Sequence, residues 1–181
     1  MPVDQVSGAG TARADHRADA LLDGLFTGMI GALVVAVWFL VLDLINGQPL
    51  YTPSLLGSVL LHGKEAVLTV IPGAPLEVAV YTAFHFVTFV IVGVVFSYLM
   101  TMFERFPIMF FVLLVMFLGL TVGFFVLDIA LGAQLTGRLS AWSIVIGNLL
   151  ASAGMVFYQW RRHPGLLKSI DRLWEDPEHK A

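Results

Sequence analysis

Polar side chains are scarce in the apolar stretches of this chain, so those that do occur there are the first candidates for chemistry. Glu77, Tyr81, His85 and Thr88 stand at i, i+4, i+8 and i+11, a spacing that places them on one face of a helix. A histidine near carboxylates can ligate a divalent metal, relay protons, or hydrogen-bond a quinone carbonyl while apolar walls hold the quinone tail. Asp43 and Asp128 supply two such carboxylates, each four residues before a glycine that ends an apolar run. Asn148, with Ser152 one turn further on, forms a second polar stripe. If the two stripes face each other, Asp43, Glu77, Tyr81, His85, Asn148 and Asp128 converge on one pocket, in which His85, Tyr81 and Asn148 would hold a cofactor. Haem would need a second axial ligand, and the other nearby histidine is His62. The plainer reading is that His85 and Asn148 only bond between helices, and that the aspartates serve helix ends. No spacing matches a metalloprotease helix, a nucleophile elbow or a phosphate loop, so no catalytic residue is assigned and no particular cofactor or metal is named.

These residues need elements to hold them, and composition says which. The chain has 181 residues, 58% of them hydrophobic and only 13% charged. Its mean hydropathy is +0.86. Soluble domains are about 45–50% apolar and about 25% charged, so the balance points to lipid. Four stretches lack Asp, Glu, Lys and Arg: Gly24–Leu42, Val78–Phe103, Phe106–Leu127 and Leu139–Trp160. Each is close to or longer than the roughly 20 residues a helix needs to cross about 30 Å of hydrocarbon. The expected fold is therefore an all-α membrane protein, a bundle of four transmembrane helices spanning about 25–44, 78–99, 108–129 and 139–158. Residues 1–22 form a polar leading segment, expected to be loose over Met1–His16. Its length before the first span and the lack of a small-residue cleavage pattern after Leu44 argue against a cleaved signal peptide. Two further short helices are expected at the membrane surfaces. One covers Pro53–Leu61, with Thr52 as its N-cap. The other is an amphipathic tail over 161–181, with Leu166, Leu167, Ile170, Leu173 and Trp174 on one face.

Basic residues orient the bundle. Arg13, Arg17, Arg105, Arg161, Arg162, Lys168, Arg172 and Lys180 flank the spans on the side of the two chain ends, whereas only Lys64 and Arg138 lie on the other. The positive-inside rule then places both termini in the cytoplasm and the Asp43, Glu77 and Asp128 ends of the spans outside. There is no cysteine, which excludes disulfides and thiolate metal ligation. Basic residues are too few, and too confined to membrane ends, for nucleic-acid binding.

Between helices in lipid, small residues permit close approach. Gly24 and Gly28, Gly119 and Gly123, and Gly147 mark the expected contact faces. A faint repeat relates Phe39–Leu50 to Phe124–Leu135, pairing Asp43 with Asp128 and Gly47 with Gly132. If it is a duplication, the bundle is two parallel helical hairpins.

Two stretches carry a resemblance: Trp38-Phe39, Asp43, Gly47-Gln48-Pro49-Leu50-Tyr51-Thr52-Pro53 and Leu56-Gly57, then Trp142, Gly147-Asn148 and Trp160-Arg161-Arg162-His163-Pro164. They look like a set of uncharacterised four-span bacterial membrane proteins. The resemblance implies a bacterial inner membrane and carries no activity. The expectation is an integral membrane subunit or accessory protein of a larger bacterial membrane complex, surrounded by lipid and other membrane-protein subunits, without catalysis of its own. A redox or quinone-binding module centred on His85, or a small ion or proton carrier using Asp43 and Asp128, is the alternative.

Overall fold

The computed structural model describes residues 4–103, 109–131, 135 and 139–162. Helix α1 runs Asp4–Ile45, α2 Tyr51–His62, α3 Pro75–Phe103, α4 Met109–Leu131 and α5 Ala141–Arg162, with a 3₁₀ turn at Lys64–Leu68. No strand occurs among the described residues. Within the long helices, Asp19–Ile45, Pro75–Leu99, Val112–Leu131 and Ala141–Arg162 are each long and apolar enough to cross a membrane. Leu33, Val87, Ile91, Val122 and Phe157 expose half or more of their surface, a pattern suited to contact with lipid rather than water. The chain thus has the architecture of a multi-pass membrane protein.

α1 begins well before its apolar part. The segment expected to be loose is helical from Asp4 onward. Extending an existing helix adds a hydrogen bond for each residue fixed, without a new nucleus, and Ala9, Ala12, Ala14, Ala18 and Ala20 favour that extension. The other end of α1 stops at a Schellman turn. Gly47, at φ 69°, directs its N–H to the Leu44 carbonyl, and Gln48 directs its own to the Asp43 carbonyl. Pro49 follows, and Leu50 takes a left-handed conformation (φ 62°) as the N-cap of α2.

α1 packs antiparallel against α3 on one side and α5 on the other, and α4 packs chiefly on α5. The α1–α3 contact is backbone on backbone. A Cβ added at Gly24 would lie 2.5 Å from the Val94 Cα, and one at Gly28 would meet the Phe89 carbonyl and lie 2.6 Å from the Val90 Cα. Gly93 is equally tight, against the Gly24 carbonyl and Gly28. Gly147 lies 3.0 Å from the Trp38 ring by the same measure. Gly119 and Gly123 differ from the expectation, since a Cβ at either meets no atom within 4 Å. They lie on a face of α4 turned away from the packed helices.

Two apolar clusters result. One joins Ala32 and Val35, Phe89 and Phe96, Met116, and Ala151, Met155 and Val156 across the four long helices. The other lies at the α2 end, where Leu55, Leu56 and Val59 pack with Val67, Leu135, Leu139 and Ile144. α2 is therefore buried along one side against the bundle, and Gly57 lets it touch the Glu77 carbonyl at the start of α3. The Glu104–Arg105 turn and the amphipathic tail beyond Arg162 lie outside the described residues.

Candidate functional site

His85 sits on the face of α3 that meets α1, and its residue is only 8% exposed. Its Nε2 is 3.2 Å from the Ala32 carbonyl oxygen, which can only accept, so Nε2 carries the proton. Nδ1 is then the acceptor for the Tyr81 hydroxyl at 3.2 Å. The ring also stacks at a tilt on Phe89, with centroids 4.7 Å apart. Both ring nitrogens are engaged, which fixes the tautomer and leaves no free lone pair for a metal or haem. His62 does not approach as a second ligand. It lies 3.6 Å from Glu77, eight residues or about 12 Å along α3 from His85.

The carboxylates do other work. Asp43 accepts the Thr52 backbone N–H and the Thr52 hydroxyl, each at 2.8 Å. Thr52 was expected to cap a helix starting at Pro53, yet α2 begins two residues earlier, at Tyr51, and Thr52 is buried within its first turn. The cap comes from Asp43 at the end of α1, whose carboxyl oxygen accepts a backbone N–H that has no partner within α2. Asp128 plays a similar part at the end of α4, where it accepts the Leu135 N–H at 2.6 Å. Asp43 thus holds the chain nine residues on from itself, and Asp128 seven.

The second stripe faces elsewhere. Asn148 donates to the Thr121 hydroxyl of α4 at 3.3 Å, and Ser152 donates to the Asn148 carbonyl of its own helix at 2.7 Å. The single polar pocket expected from the spacing does not form: Tyr81 and His85 turn to one flank of α1, and Asn148 lies between α4 and α5. The reason is topological. α1 stands between α3 and α5, so the two stripes never meet. Among the described residues no three His, Asp or Glu side chains group closely enough to hold a metal ion.

Two cavities adjoin at the α2 end. One, of about 190 Å³, is lined by Val35, Ala36 and Leu40 of α1, Pro53 of α2, and Tyr81 and His85 of α3. The other, of about 270 Å³, is lined by Asp43, Asn46, Gln48, Tyr51, Ser140 and Trp142. Phe39 and Thr52 belong to both walls.

A further polar cluster, at the opposite end, is one that the spacing did not suggest. The Gln159 side-chain amide donates to the Thr27 hydroxyl at 2.7 Å, and that hydroxyl donates to the Asp23 carbonyl at 2.6 Å. The Arg162 guanidinium reaches the Asp23 carboxylate at 3.1 Å. Gln159 and Thr27 are both fully buried. The four-residue spacing of Asp23 and Thr27 was a usable signal, but nothing in the spacing linked it to Gln159 or Arg162. Near the α2 end, the Trp38 indole donates to the Ser143 carbonyl at 2.9 Å and clasps α1 to α5 again.

No family model, curated protein or solved structure matches this chain. The geometry therefore carries the functional reading alone.

Proposed function

We propose that the chain is an integral membrane subunit or accessory protein of a larger bacterial inner-membrane complex, without catalysis of its own. One observation carries this reading. Four polar side chains within the apolar helices bond from one helix to another: His85 to Ala32, Asn148 to Thr121, Gln159 to Thr27 and Trp38 to Ser143. Polar groups inside lipid are costly and tend to mark function, and here their role is to clasp helices. Such a bundle is a shaped anchor rather than a reaction vessel.

The distribution of Lys and Arg supports termini in the cytoplasm, with α2 on the outer face. The α1–α3 and α4–α5 pairings, with Asp43 and Asp128 in like positions, support two hairpins of the same sense. The open glycine face of α4 at Gly119 and Gly123 suits close approach by a helix of another subunit.

Gentle extraction of the tagged full chain from its native membrane tests this reading, with mass spectrometry and visible absorption on one sample. The expected result is co-purification with other membrane proteins in fixed ratio, kept in reciprocal capture, with no pigment belonging to this chain. A chain recovered only by itself, or one carrying haem, flavin or a stoichiometric quinone, would overturn it.

A further inference from the structure

The two cavities at the α2 end differ in chemistry and share a wall, and that combination points to one amphipathic ligand. The smaller is apolar, and among the residues lining it are the bonded Tyr81 and His85, the second ring nitrogen of His85 being taken by the Ala32 carbonyl. Val37 and Leu40 on its rim are well exposed, so it opens sideways, toward lipid in a membrane. At about 190 Å³ it exceeds the roughly 150 Å³ of an apolar protein cavity that stays dry and admits benzene, so it can take a stretch of hydrocarbon chain. The larger cavity has the Asp43 carboxylate, the Asn46 and Gln48 amides and the Ser140 hydroxyl in its wall. Asp43 accepts two bonds from Thr52, and a carboxylate has about four lone-pair sites in all. Trp142 stands 56% exposed at this mouth, and an indole face attracts cations. Among the described residues of the lining there is a carboxylate and no cationic side chain.

We propose that these cavities form a binding site for one phospholipid with an ammonium-bearing headgroup. Its acyl chain occupies the apolar cavity, and its ammonium sits in the polar mouth between Asp43 and Trp142. The inference rests on the membrane-spanning reading of the four long helices. The glycerol backbone crosses the ridge made by Phe39 and Thr52, where the cavities meet. Bound there, the lipid bridges the ends of α1, α2 and α5 and fills a gap that their packing leaves.

The test uses the full chain in nanodiscs made from equal parts of phosphatidylethanolamine, phosphatidylcholine and phosphatidylglycerol. The protein is re-extracted in mild detergent and washed, and retained lipid is counted per chain by mass spectrometry. The ammonium-bearing lipids should be retained about tenfold over phosphatidylglycerol. Ala36→Phe, which fills the apolar cavity from an exposed helix face, should lower retention of every lipid about tenfold. Asn46→Lys, at an exposed position of the mouth, should shift the preference toward phosphatidylglycerol. Phosphatidylglycerol retained as well as the other two, or a folded Ala36→Phe chain retaining as much lipid as its parent, would overturn the site. If Ala36→Phe does not fold, Asn46→Lys decides alone, and an unchanged preference there refutes the proposal. Failure of the membrane reading itself would look different, because the chain would then leave native membranes without detergent.

Discussion

Gly28→Ala gives the strictest test of the packing described above. The added methyl group would meet the Phe89 carbonyl and would sit 2.6 Å from the Val90 Cα and 2.8 Å from the Phe89 carbonyl carbon. Ordinary contact begins at 3.4 Å, so clearing the Val90 Cα alone requires α1 and α3 to part locally by about 0.8 Å, and the Phe89 carbonyl requires more. Every obstacle is backbone, and none can rotate away. A gap of about 0.5–1 Å forfeits a quarter to a half of each dispersion contact it opens. Overpacking of this kind costs about 1–3 kcal/mol, and the rigid surroundings favour the upper part of that range. Replacing a mid-helix glycine by alanine returns roughly 0.5–1 kcal/mol of helix propensity. A net loss of about 1–2 kcal/mol remains, a factor of about 5–30 in the folded-to-unfolded ratio. Gly119→Ala is the internal control. Its methyl group meets nothing within 4 Å, so the propensity gain stands alone and the sign reverses. Stepwise SDS titration of purified chain in mixed micelles, followed by tryptophan emission, measures both. If Gly28→Ala proves as stable as the parent, or shifts the same way as Gly119→Ala, the backbone contact of α1 with α3 is wrong.

Thr27→Val should cost about 1–3 kcal/mol in the same titration, because it leaves the buried Gln159 amide without its partner, whereas Gln159→Leu, which removes the amide itself, should be far milder. Equal losses would show that the pair is not a bonded unit. Asp43→Ala should destabilise by about 1–3 kcal/mol and should sharply speed hydrogen exchange at the Thr52 amide while leaving amides in the middle of α3 protected; unchanged exchange at Thr52 would remove Asp43 as the cap. Gly119→Leu with Gly123→Leu should leave the isolated chain folded yet lower recovery of co-purifying subunits, and undiminished recovery would clear α4 of any part in assembly.

The four apolar helices were legible because runs without charge are a one-dimensional property, and lipid admits few structures that can satisfy them. Gly24 and Gly28 were legible for a related reason, since four-residue spacing on a helix bears directly on how near another backbone can come. The converging pocket was not legible. Which flank of α3 meets which helix depends on the order of helices around the bundle, and periodicity carries no information about that order. Gly119 and Gly123 have the same spacing as Gly24 and Gly28, but no described residue packs against their face. Asp43 was readable as a helix-end group, though its partner was not, because the cap depends on the Schellman turn that folds Thr52 back over it. The Gln159–Thr27 bond joins residues 132 apart, and neither end announces the other.

The placement of the clasps along α1 argues for what they accomplish. Helices in lipid gain little from burying apolar surface against one another, so two smooth helices can slide or rotate with small change in energy. Small-residue contacts set how close α1 and α3 come, but a glycine face alone tolerates a shift in register. Directional bonds do not. Along its apolar part α1 carries three such bonds in succession: one at Thr27, one where His85 reaches the Ala32 carbonyl, and one toward the α2 end where Trp38 reaches Ser143. The outer two go to α5 and the middle one goes to α3, so the single helix α1 fixes the register of both neighbours. α4 has only the longer Thr121–Asn148 bond among the described interhelical clasps. If the chain serves an assembly, α4 is the helix free to adjust to a partner. Loss of the α1 clasps should loosen the bundle itself, and loss of the α4 face should loosen only what binds to it.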